Sequence, residues 1–294
     1  MDHPVSATAA PTALRVPRII AHRGASTEAP EHTYAAYVAA LSAEADGLEC
    51  DVRLTADGHL VCVHDRKVDR VSNGTGLVSS LELASLEELD FGVSHAAGGA
   101  DAKPVDATFS DADADDVEPD RDDREANRVL TLRRLLDLVA AQPRRVELAI
   151  EVKHPSRYAG QVERSLVSVL DEYGWAPPER TANSPVRIMS FSSSAVRRAH
   201  RLAPGVRTVF LMEPLVYRAR GGALPAGTRI AGPAIEILRA RPDAVERWHR
   251  AGCEVHVWTV DEPADFELCL SLGVDAVITN RPRAMRAALS ALVA

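Results

Sequence analysis

Four clusters of ionisable residues lie at the carboxyl ends of short apolar runs in this sequence. The clusters are His22-Arg23, Glu49 with Asp51, His64-Asp65, and Glu151 with Lys153. An imidazole can transfer a proton near neutral pH, an Arg or Lys side chain can bind phosphate oxygens, and carboxylates bind hard cations. If the fold brings the four clusters together, they predict a site for metal-assisted acid–base chemistry on a phosphate group.

Glu49 and Asp51 are candidate metal ligands. Residues two apart in a strand share one face, so both carboxylates lie on one face and Cys50 on the other. Like charges on one face are costly unless a cation lies between them, whereas the alternative is a solvent-facing edge strand. Glu151 can complete the site, although it could simply pair with Lys153. Because no His or Cys cluster accompanies these oxygens, we expect Mg²⁺ or Ca²⁺ rather than zinc.

His22 and His64 are the candidates for proton transfer. Two histidines beside a phosphoryl group can act as base and acid in succession. A single His after a strand is more often structural than catalytic. Here the combination with the other ionisable clusters favours a catalytic role. The remaining histidines are not part of such a cluster and are predicted to lie on the surface or to serve in packing. They are His3, His32, His59, His95, His154, His200, His249 and His256.

Short apolar runs alternate with longer helical patterns along the chain. The apolar runs predict strands at 16–21, 47–52, 60–63, 146–150, 186–189, 208–211, 255–259 and 276–279. The helical patterns are at 33–45, 130–141, 161–173, 193–202, 242–251, 264–272 and 282–292. The irregular region 214–241 could contain one more short strand. Nearly continuous apolar strands are typical of a parallel sheet that is buried on both faces.

The positions of the polar clusters favour a closed barrel over an open doubly wound sheet. Both architectures fit the alternation of strands and helices. In a barrel the carboxyl ends of all strands meet at one mouth and would bring the clusters together, whereas an open sheet would spread them along an edge. We therefore predict an α/β fold, a single TIM-type (β/α)8 barrel with an acidic loop insertion.

The net charge of −8 arises in one segment. Residues 101–125 contain 11 acidic and three basic residues, which leaves 31 of each sign in the rest of the chain. This balance argues against an extended cationic surface for nucleic acid or anionic membrane. We predict a flexible tail over residues 1–15 and a barrel domain over 16–294, interrupted by a mobile acidic insertion over 95–127.

Compartment and membrane association are also predicted from composition. The sparse cysteines indicate no disulfide framework and are expected to be reduced. We find no secretory signal pattern and no uncharged apolar stretch of about 18 residues. The sequence therefore predicts a cytoplasmic protein that does not insert into membranes.

A series of motifs, in order along nearly the whole chain, resembles the glycerophosphodiester phosphodiesterase family. The motifs are His22-Arg23-Gly24, Pro30-Glu31-His32-Thr33, Glu49-x-Asp51, Thr55-x-Asp57-Gly58, His64-Asp65, Glu151-x-Lys153, Ser190-Phe191, Trp258-Thr259-Val260, and Gly273-x-Asp275 followed by Thr279-Asn280-x-Pro282. Several independent motifs in register are far more specific than one tripeptide.

The resemblance implies a role for each candidate residue. The catalytic histidines correspond to His22 and His64, the phosphate-binding residues to Arg23 and Lys153, the ligands of Mg²⁺ or Ca²⁺ to Glu49, Asp51 and Glu151, and the substrate pocket to Phe191 and Trp258. The implied reaction is hydrolysis of a small glycerophosphodiester to glycerol 3-phosphate and an alcohol such as choline or ethanolamine. The resemblance also implies that the 2-hydroxyl of the substrate attacks first.

Three departures from the family pattern and two rival functions stay open. One departure is that the acidic segment 95–127 is longer than the family's usual connection. His32 stands where the family commonly has Asn, and Asn280 where Asp is common. A lysophospholipase D would keep the chemistry but need an apolar groove beside the mouth, and an aromatic content of 4 % ranks it second. A silent barrel used as a binding module would be expected to lack a histidine or carboxylate, and here all matching positions are filled. The oligomeric state is left open.

Overall fold

The computed structural model describes residues 15–93, 127–154, 160–179 and 184–293. The strands are β1 (Arg18–His22), β2 (Gly47–Leu54), β3 (Leu60–Cys62), β4 (Glu147–Val152), β5 (Val186–Ser190), β6 (Arg207–Met212), β7 (Ile230–Pro233), β8 (Glu254–Val257) and β9 (Ala276–Thr279). The predictions of a flexible tail at 1–15 and a mobile insertion at 95–127 fall, apart from Arg15 and Asn127, outside the described residues and stay predictions.

Helices follow most strands and cover the outside of the sheet. They are α1 (Tyr34–Ser42), α2 (Leu83–Glu87), α3 (Leu132–Ala140), α4 (Gln161–Glu172), α5 (Ser193–Leu202), α6 (Pro214–Arg220), α7 (Ile235–Ala240), α8 (Asp243–Arg250), α9 (Pro263–Leu272) and α10 (Pro282–Val293), with a short 3₁₀ helix at Val78–Ser80. In the described ranges we find no helix of the length and apolarity that a membrane crossing requires. The cytoplasmic location stays a prediction.

The sheet closes on itself. Its order is β1-β9-β8-β7-β6-β5-β4-β2, and β1 also pairs with β2. All these pairings are parallel, for example Ile20 opposite Gly47 and Ile20 opposite Ile278 on its two sides. The prediction of a single TIM-type barrel is confirmed, and the open sheet is excluded.

One strand prediction needs correction, whereas the further short strand considered for 214–241 is confirmed. Residues 60–63 were predicted as a barrel strand, but β3 pairs antiparallel with β2, with Cys62 opposite Val52, and lies outside the parallel barrel. The eighth parallel strand is β7, inside the irregular region 214–241. Its Gly232 and Pro233 weaken the strand signal, because neither is favoured in strands. A Cβ on Gly232 would lie 2.8 Å from Leu211 Cδ2, so packing explains this glycine.

Side chains inside the barrel form three layers. An apolar middle layer contains Ile20, Ala149, Met189, Val209, Leu211, Ile230, Ala276 and Ile278. Below it, Arg18 bridges Glu147 at 3.0 Å and Glu254 at 2.8 Å, and Arg187 also pairs with Glu147. Since alternate residues of a strand face inward, the next inward positions toward the carboxyl ends form the third layer at the mouth.

The described residues between β3 and α3, at 63–93 and 127–131, pack with Val61 of β3 around a small apolar core of their own. Buried side chains in it are Val61, Val63, Val68, Val71, Val78, Leu86, Phe91 and Val129. Burying a side chain of this size contributes about 1.5–3 kcal/mol, so the cluster can hold the segment against the barrel rim. It thereby fixes the chain on both sides of His64.

Candidate active site

One pocket of about 600 Å³, open at its mouth, lies at the carboxyl ends of the barrel strands. It is lined by His22, Arg23, Glu49, His64, Glu151, Lys153, Met189, Phe191, Leu211, Glu213, Trp258, Thr259 and Ile278. Asp51 contacts Lys153 directly below it. The structure therefore brings together all the predicted site residues, and it adds Met189, Leu211, Glu213, Thr259 and Ile278.

Three buried carboxylates form the most highly charged part of the site. Glu49, Asp51 and Glu151 each offer an oxygen within 4.8 Å of the others, and their exposed fractions are 2 %, 1 % and 6 %. The parallel pairing of β2 with β4 places Asp51 opposite Glu151, and Glu49 lies two residues away on the same face. Cys50 faces the core outside the barrel, as the alternation predicts.

Arg23 and Lys153 neutralise part of this charge. Lys153 Nζ lies 3.0 Å from Asp51 Oδ1 and 2.9 Å from Glu151 Oε2, and Arg23 Nε lies 3.1 Å from Asp51 Oδ2. Burial alone would raise the pKa of Asp51, but Lys153 and the hydrogen bond from His32 outweigh it and hold that pKa well below its usual range.

Glu49 and Glu151 have less compensating positive charge beside them than Asp51 has. Burial and the neighbouring Asp51 raise the pKa of Glu49 well above its usual value and that of Glu151 to about 8. Glu151 therefore takes up a proton near neutral pH unless another positive charge is close, and the pKa of Glu49 is shifted in the same direction. Glu49 also accepts a hydrogen bond from the backbone N–H of Arg23 at 3.1 Å, which ties it to the turn after β1.

These residues fit a hard divalent cation. The donor set is entirely carboxylate oxygen, the type that Mg²⁺ and Ca²⁺ prefer. Three carboxylates against Arg23 and Lys153 leave a formal charge of −1 in the cluster. A divalent cation together with a phosphodiester monoanion would neutralise it.

His22 is oriented by a chain of hydrogen bonds that crosses from β1 to β9. Its Nδ1 lies 2.7 Å from Asn280 Oδ1, and Asn280 Nδ2 donates to Asp261 Oδ2 at 2.6 Å. Because an amide oxygen only accepts, Nδ1 of His22 carries a proton and Nε2 keeps its lone pair. Burial and the adjacent Arg23 lower the pKa of His22 to about 3, so the ring is neutral and can accept a proton at Nε2.

We expect Asn280→Leu to lower kcat by about 10- to 100-fold, the usual effect of losing a group that fixes an imidazole tautomer. Leucine keeps the branched shape and the number of side-chain heavy atoms but removes the acceptor for His22 Nδ1. Steady-state kinetics on a glycerophosphodiester would measure it, with Asn73→Leu, which changes an amide outside the pocket, as the control. An unchanged kcat in the folded Asn280 variant would show that Asn280 does not orient His22.

His64 has a different partner behind its ring. Its Nδ1 lies 2.7 Å from Asp65 Oδ1, and Arg53 donates to its backbone carbonyl at 3.0 and 2.6 Å. Burial lowers the pKa of His64, although Asp65 opposes this by stabilising the protonated ring. Arg70 donates to Asp65 at 2.6 Å and to Glu31 at 2.7 Å, which connects His64 to the loop that carries Arg23.

The turn after β1 carries Arg23 over the carboxylates. Arg23 has φ +58° and Gly24 has φ +85°, both in the left-handed region. A Cβ at Gly24 would lie 2.6 Å from the backbone carbon of Ala36, so only glycine lets the turn approach α1 this closely. A non-glycine residue with positive φ costs about 1–3 kcal/mol, and Arg23 is held there by ion pairs with Asp51 and Glu31.

His32 belongs to the site, which corrects its assignment to surface or packing. It is 5 % exposed, and its Nε2 lies 2.9 Å from Asp51 Oδ2. Because the carboxylate only accepts, Nε2 carries a proton and donates it to this bond. Nδ1 lies 2.9 Å from Tyr37 Oη, and Tyr37 donates to the backbone carbonyl of Glu49 at 3.0 Å. The imidazole thus fixes one of the carboxylates.

Comparison with known proteins identifies the family. Residues 22–284 match the model of the glycerophosphoryl diester phosphodiesterase family. The chain belongs to this family. It is 41 % identical over 266 residues to a probable glycerophosphodiester phosphodiesterase 1 of Mycobacterium tuberculosis, with 90 % of each chain covered. It is 32 % identical to a glycerophosphodiester phosphodiesterase of Bacillus subtilis, covering 96 % of this chain and 90 % of the relative.

Solved structures share the fold. A putative glycerophosphoryl diester phosphodiesterase of Silicibacter pomeroyi superimposes with a TM-score of 0.75 at 22 % identity, over 95 % of each chain. An Oleispira antarctica phosphodiesterase in complex with the product sn-glycerol-3-phosphate has a TM-score of 0.74 at 23 % identity, over 93 % of this chain and 97 % of that one. The predictions of family membership and of a phosphodiesterase enzyme are confirmed. The alternative of a catalytically silent barrel that serves as a binding module is therefore rejected.

Proposed function

We propose that the chain hydrolyses small glycerophosphodiesters to glycerol 3-phosphate and an alcohol, and that it requires Mg²⁺ or Ca²⁺. The observation that supports this most strongly is the convergence of two imidazoles, two cationic side chains and three carboxylates on one pocket. The Oleispira phosphodiesterase, which binds sn-glycerol-3-phosphate, adds support for the product.

The proposed roles follow from the contacts. Glu49, Asp51 and Glu151 would hold the cation, which when bound supplies positive charge against the charge that develops on the phosphate oxygens. Arg23 and Lys153 would bind the phosphate, and both already lie beside these carboxylates.

The two histidines would transfer protons in succession. One takes the proton of the 2-hydroxyl of glycerol, whose oxygen attacks phosphorus, and the other protonates the departing alkoxide. A cyclic phosphate and the free alcohol result, and water then opens the ring as the histidines exchange roles. Asp65 can stabilise a protonated His64, whereas Asn280 offers His22 no charge, which favours His64 as the first acid.

A lysophospholipase D is the second candidate, because Met189, Leu211 and Ile278 give the pocket an apolar wall. Initial rates on glycerophosphocholine and on lysophosphatidylcholine, each measured across a titration of Mg²⁺ and Ca²⁺, would distinguish the two. The proposed function requires faster hydrolysis of glycerophosphocholine and release of glycerol 3-phosphate. Faster hydrolysis of the lysophospholipid would favour the second candidate, and no hydrolysis of either compound would refute both.

His22→Ala and His64→Ala are each expected to lower kcat by about 10²- to 10⁴-fold, the usual contribution of a positioned acid or base. KM should change much less, because Arg23 and Lys153 remain to bind phosphate. His59→Ala is the matched control, since His59 is an exposed imidazole on the turn between β2 and β3 and does not line the pocket. Wild-type turnover by the His64 variant would assign His64 a structural role.

A fixed concentration of cation is expected to raise the free energy of unfolding by more at about pH 8 than at about pH 6. Because the pKa of Glu151 is raised to about 8, the metal-free folded protein binds more protons than the unfolded chain between about pH 4.5 and 8, and the raised pKa of Glu49 acts in the same direction. These groups therefore make the metal-free protein less stable as pH rises, while cation binding, which displaces protons, becomes tighter. Calorimetric melting with and without cation would test this, and Glu151→Gln should reduce the dependence on pH. A larger gain at the lower pH would contradict it.

A further inference from the structure

The wall of the pocket opposite His22 and Arg23 is mainly apolar and aromatic, in contrast to the charged side that carries the phosphate-binding candidates. In the closed strand order, β6 is four strands from β1 in both directions, so the residue after β6 lies across the mouth from His22 and Arg23. This far wall comprises Met189, Phe191, Leu211 and Glu213 at β5 and β6, together with Trp258, which follows β8 and contacts Phe191. It is apolar and aromatic except for one carboxylate, Glu213.

Glu213 is exposed at the open mouth of the pocket, and its charge has no protein partner in the described ranges. Within the described ranges of the chain, its carboxylate forms no hydrogen bond or ion pair. Glu213 is the residue before α6, where Glu can favour the helix dipole, yet its side chain does not bond the free N–H groups of the first turn. The other two carboxylates of the pocket, Glu49 and Glu151, are buried and belong to the metal cluster. Glu213 is thus the pocket carboxylate left for a ligand.

Two aromatic rings are held in fixed positions on the same wall. The rings of Phe191 and Trp258 meet edge to face, with centroids 5.3 Å apart and an interplanar angle of 89°. Trp258 Nε1 donates to the carbonyl of Gly232 at 2.8 Å, which fixes the indole by its polar edge. Aromatic faces beside a carboxylate attract ammonium and quaternary ammonium groups, through the ring quadrupole and the negative charge.

With a divalent cation held by the three carboxylates, the two sides of the pocket would carry charges of opposite sign. Arg23 and Lys153 attract a phosphate and would repel a cationic group, whereas Glu213 lies on the far wall. We propose that Glu213, Phe191 and Trp258 form a subsite for a positively charged alcohol group of the phosphodiester, a primary or quaternary ammonium. This inference rests on the proposed function and goes further, since it assigns a substrate preference and the residues that set it.

A matched pair of substrates tests the subsite. Glycerophosphocholine carries a quaternary nitrogen, and its analogue with 3,3-dimethylbutanol as the alcohol has carbon in its place and nearly the same shape. With the cation-loaded wild-type protein, we expect kcat/KM to be at least about tenfold higher for the charged diester, as a cation–π contact with a nearby carboxylate would give. This ratio should fall as salt is added, because the mouth is open to solvent.

Glu213→Gln should lower the ratio of the two kcat/KM values by several-fold, with the larger loss on the charged diester. Phe191→Leu should lower the ratio by several-fold without changing any charge. Glu246→Gln, an exposed carboxylate on α8, should leave both values at wild-type level. Each variant is compared by initial rates from phosphorus NMR.

A wild-type ratio near one, or equal losses on both diesters in the Glu213 variant, would overturn the subsite while the proposed function stands. Equal losses would mean that Glu213 contacts the glycerol part of the substrate. If neither diester is hydrolysed, the proposed function and the subsite both fall.

Discussion

Removal of divalent cations with a chelator is expected to lower kcat by at least about 10³-fold, and Mg²⁺ or Ca²⁺ should restore it. Charge stabilisation by a metal ion in phosphoryl transfer amounts to several kcal/mol, and each 1.36 kcal/mol corresponds to a factor of about ten. Without the cation, the site that Glu49, Asp51 and Glu151 form lacks the positive charge that would offset the charge developing on the phosphate oxygens. Metal analysis of the purified protein, with rates before and after chelation, would test this.

Glu49→Gln separates metal binding from folding. Burial raises the pKa of Glu49 and so favours its neutral form in the metal-free protein, and glutamine imitates that neutral form. The variant should therefore fold, yet bind the cation at least about 10²-fold more weakly in calorimetric titration and lose turnover in parallel. Glu246→Gln is again the control. Full turnover in excess chelator, by protein that contains no metal, would refute the assignment of the three carboxylates.

The residues at the mouth were predictable because ionisable residues interrupt otherwise apolar strands. At Glu49 and Asp51, alternation alone places both side chains on one face, and the barrel brings that face to the other strand ends. Where local signals are strong, bounds were also predicted, as for α5, which Ser192 caps through the N–H of Ala195, and for β9. The bounds of the short β7 were not predicted, because Gly232 and Pro233 interrupt its apolar run.

The partners of the catalytic candidates were not predictable from local pattern. His22 bonds Asn280, 258 positions away, and only barrel closure between β1 and β9 brings them together. His32 lies in a loop with φ +61°, and no periodicity indicates that its ring turns toward Asp51. Glu213 follows an apolar strand like the other site residues, but the adjoining irregular region concealed the signal.

The substrate itself, rather than the protein, is expected to supply the nucleophile. Among the residues that line the pocket, none combines a hydroxyl or thiol with a base in hydrogen-bond contact. A glycerophosphodiester carries its own hydroxyl next to the phosphate, and attack by a group already in place can remove about 7–11 kcal/mol from the barrier.

We therefore expect the 2-deoxy analogue of glycerophosphocholine to bind but to be cleaved at least about 10⁴-fold more slowly. Binding should persist, because the phosphate still meets Arg23 and Lys153 and the alcohol group is unchanged, so the analogue should inhibit competitively. Phosphorus NMR on both compounds would follow the reaction, and a cyclic phosphate signal should appear transiently with the natural substrate alone. Turnover of the analogue at a comparable rate would mean that water attacks phosphorus directly. The histidines would then activate that water, and the 2-hydroxyl would serve only in recognition.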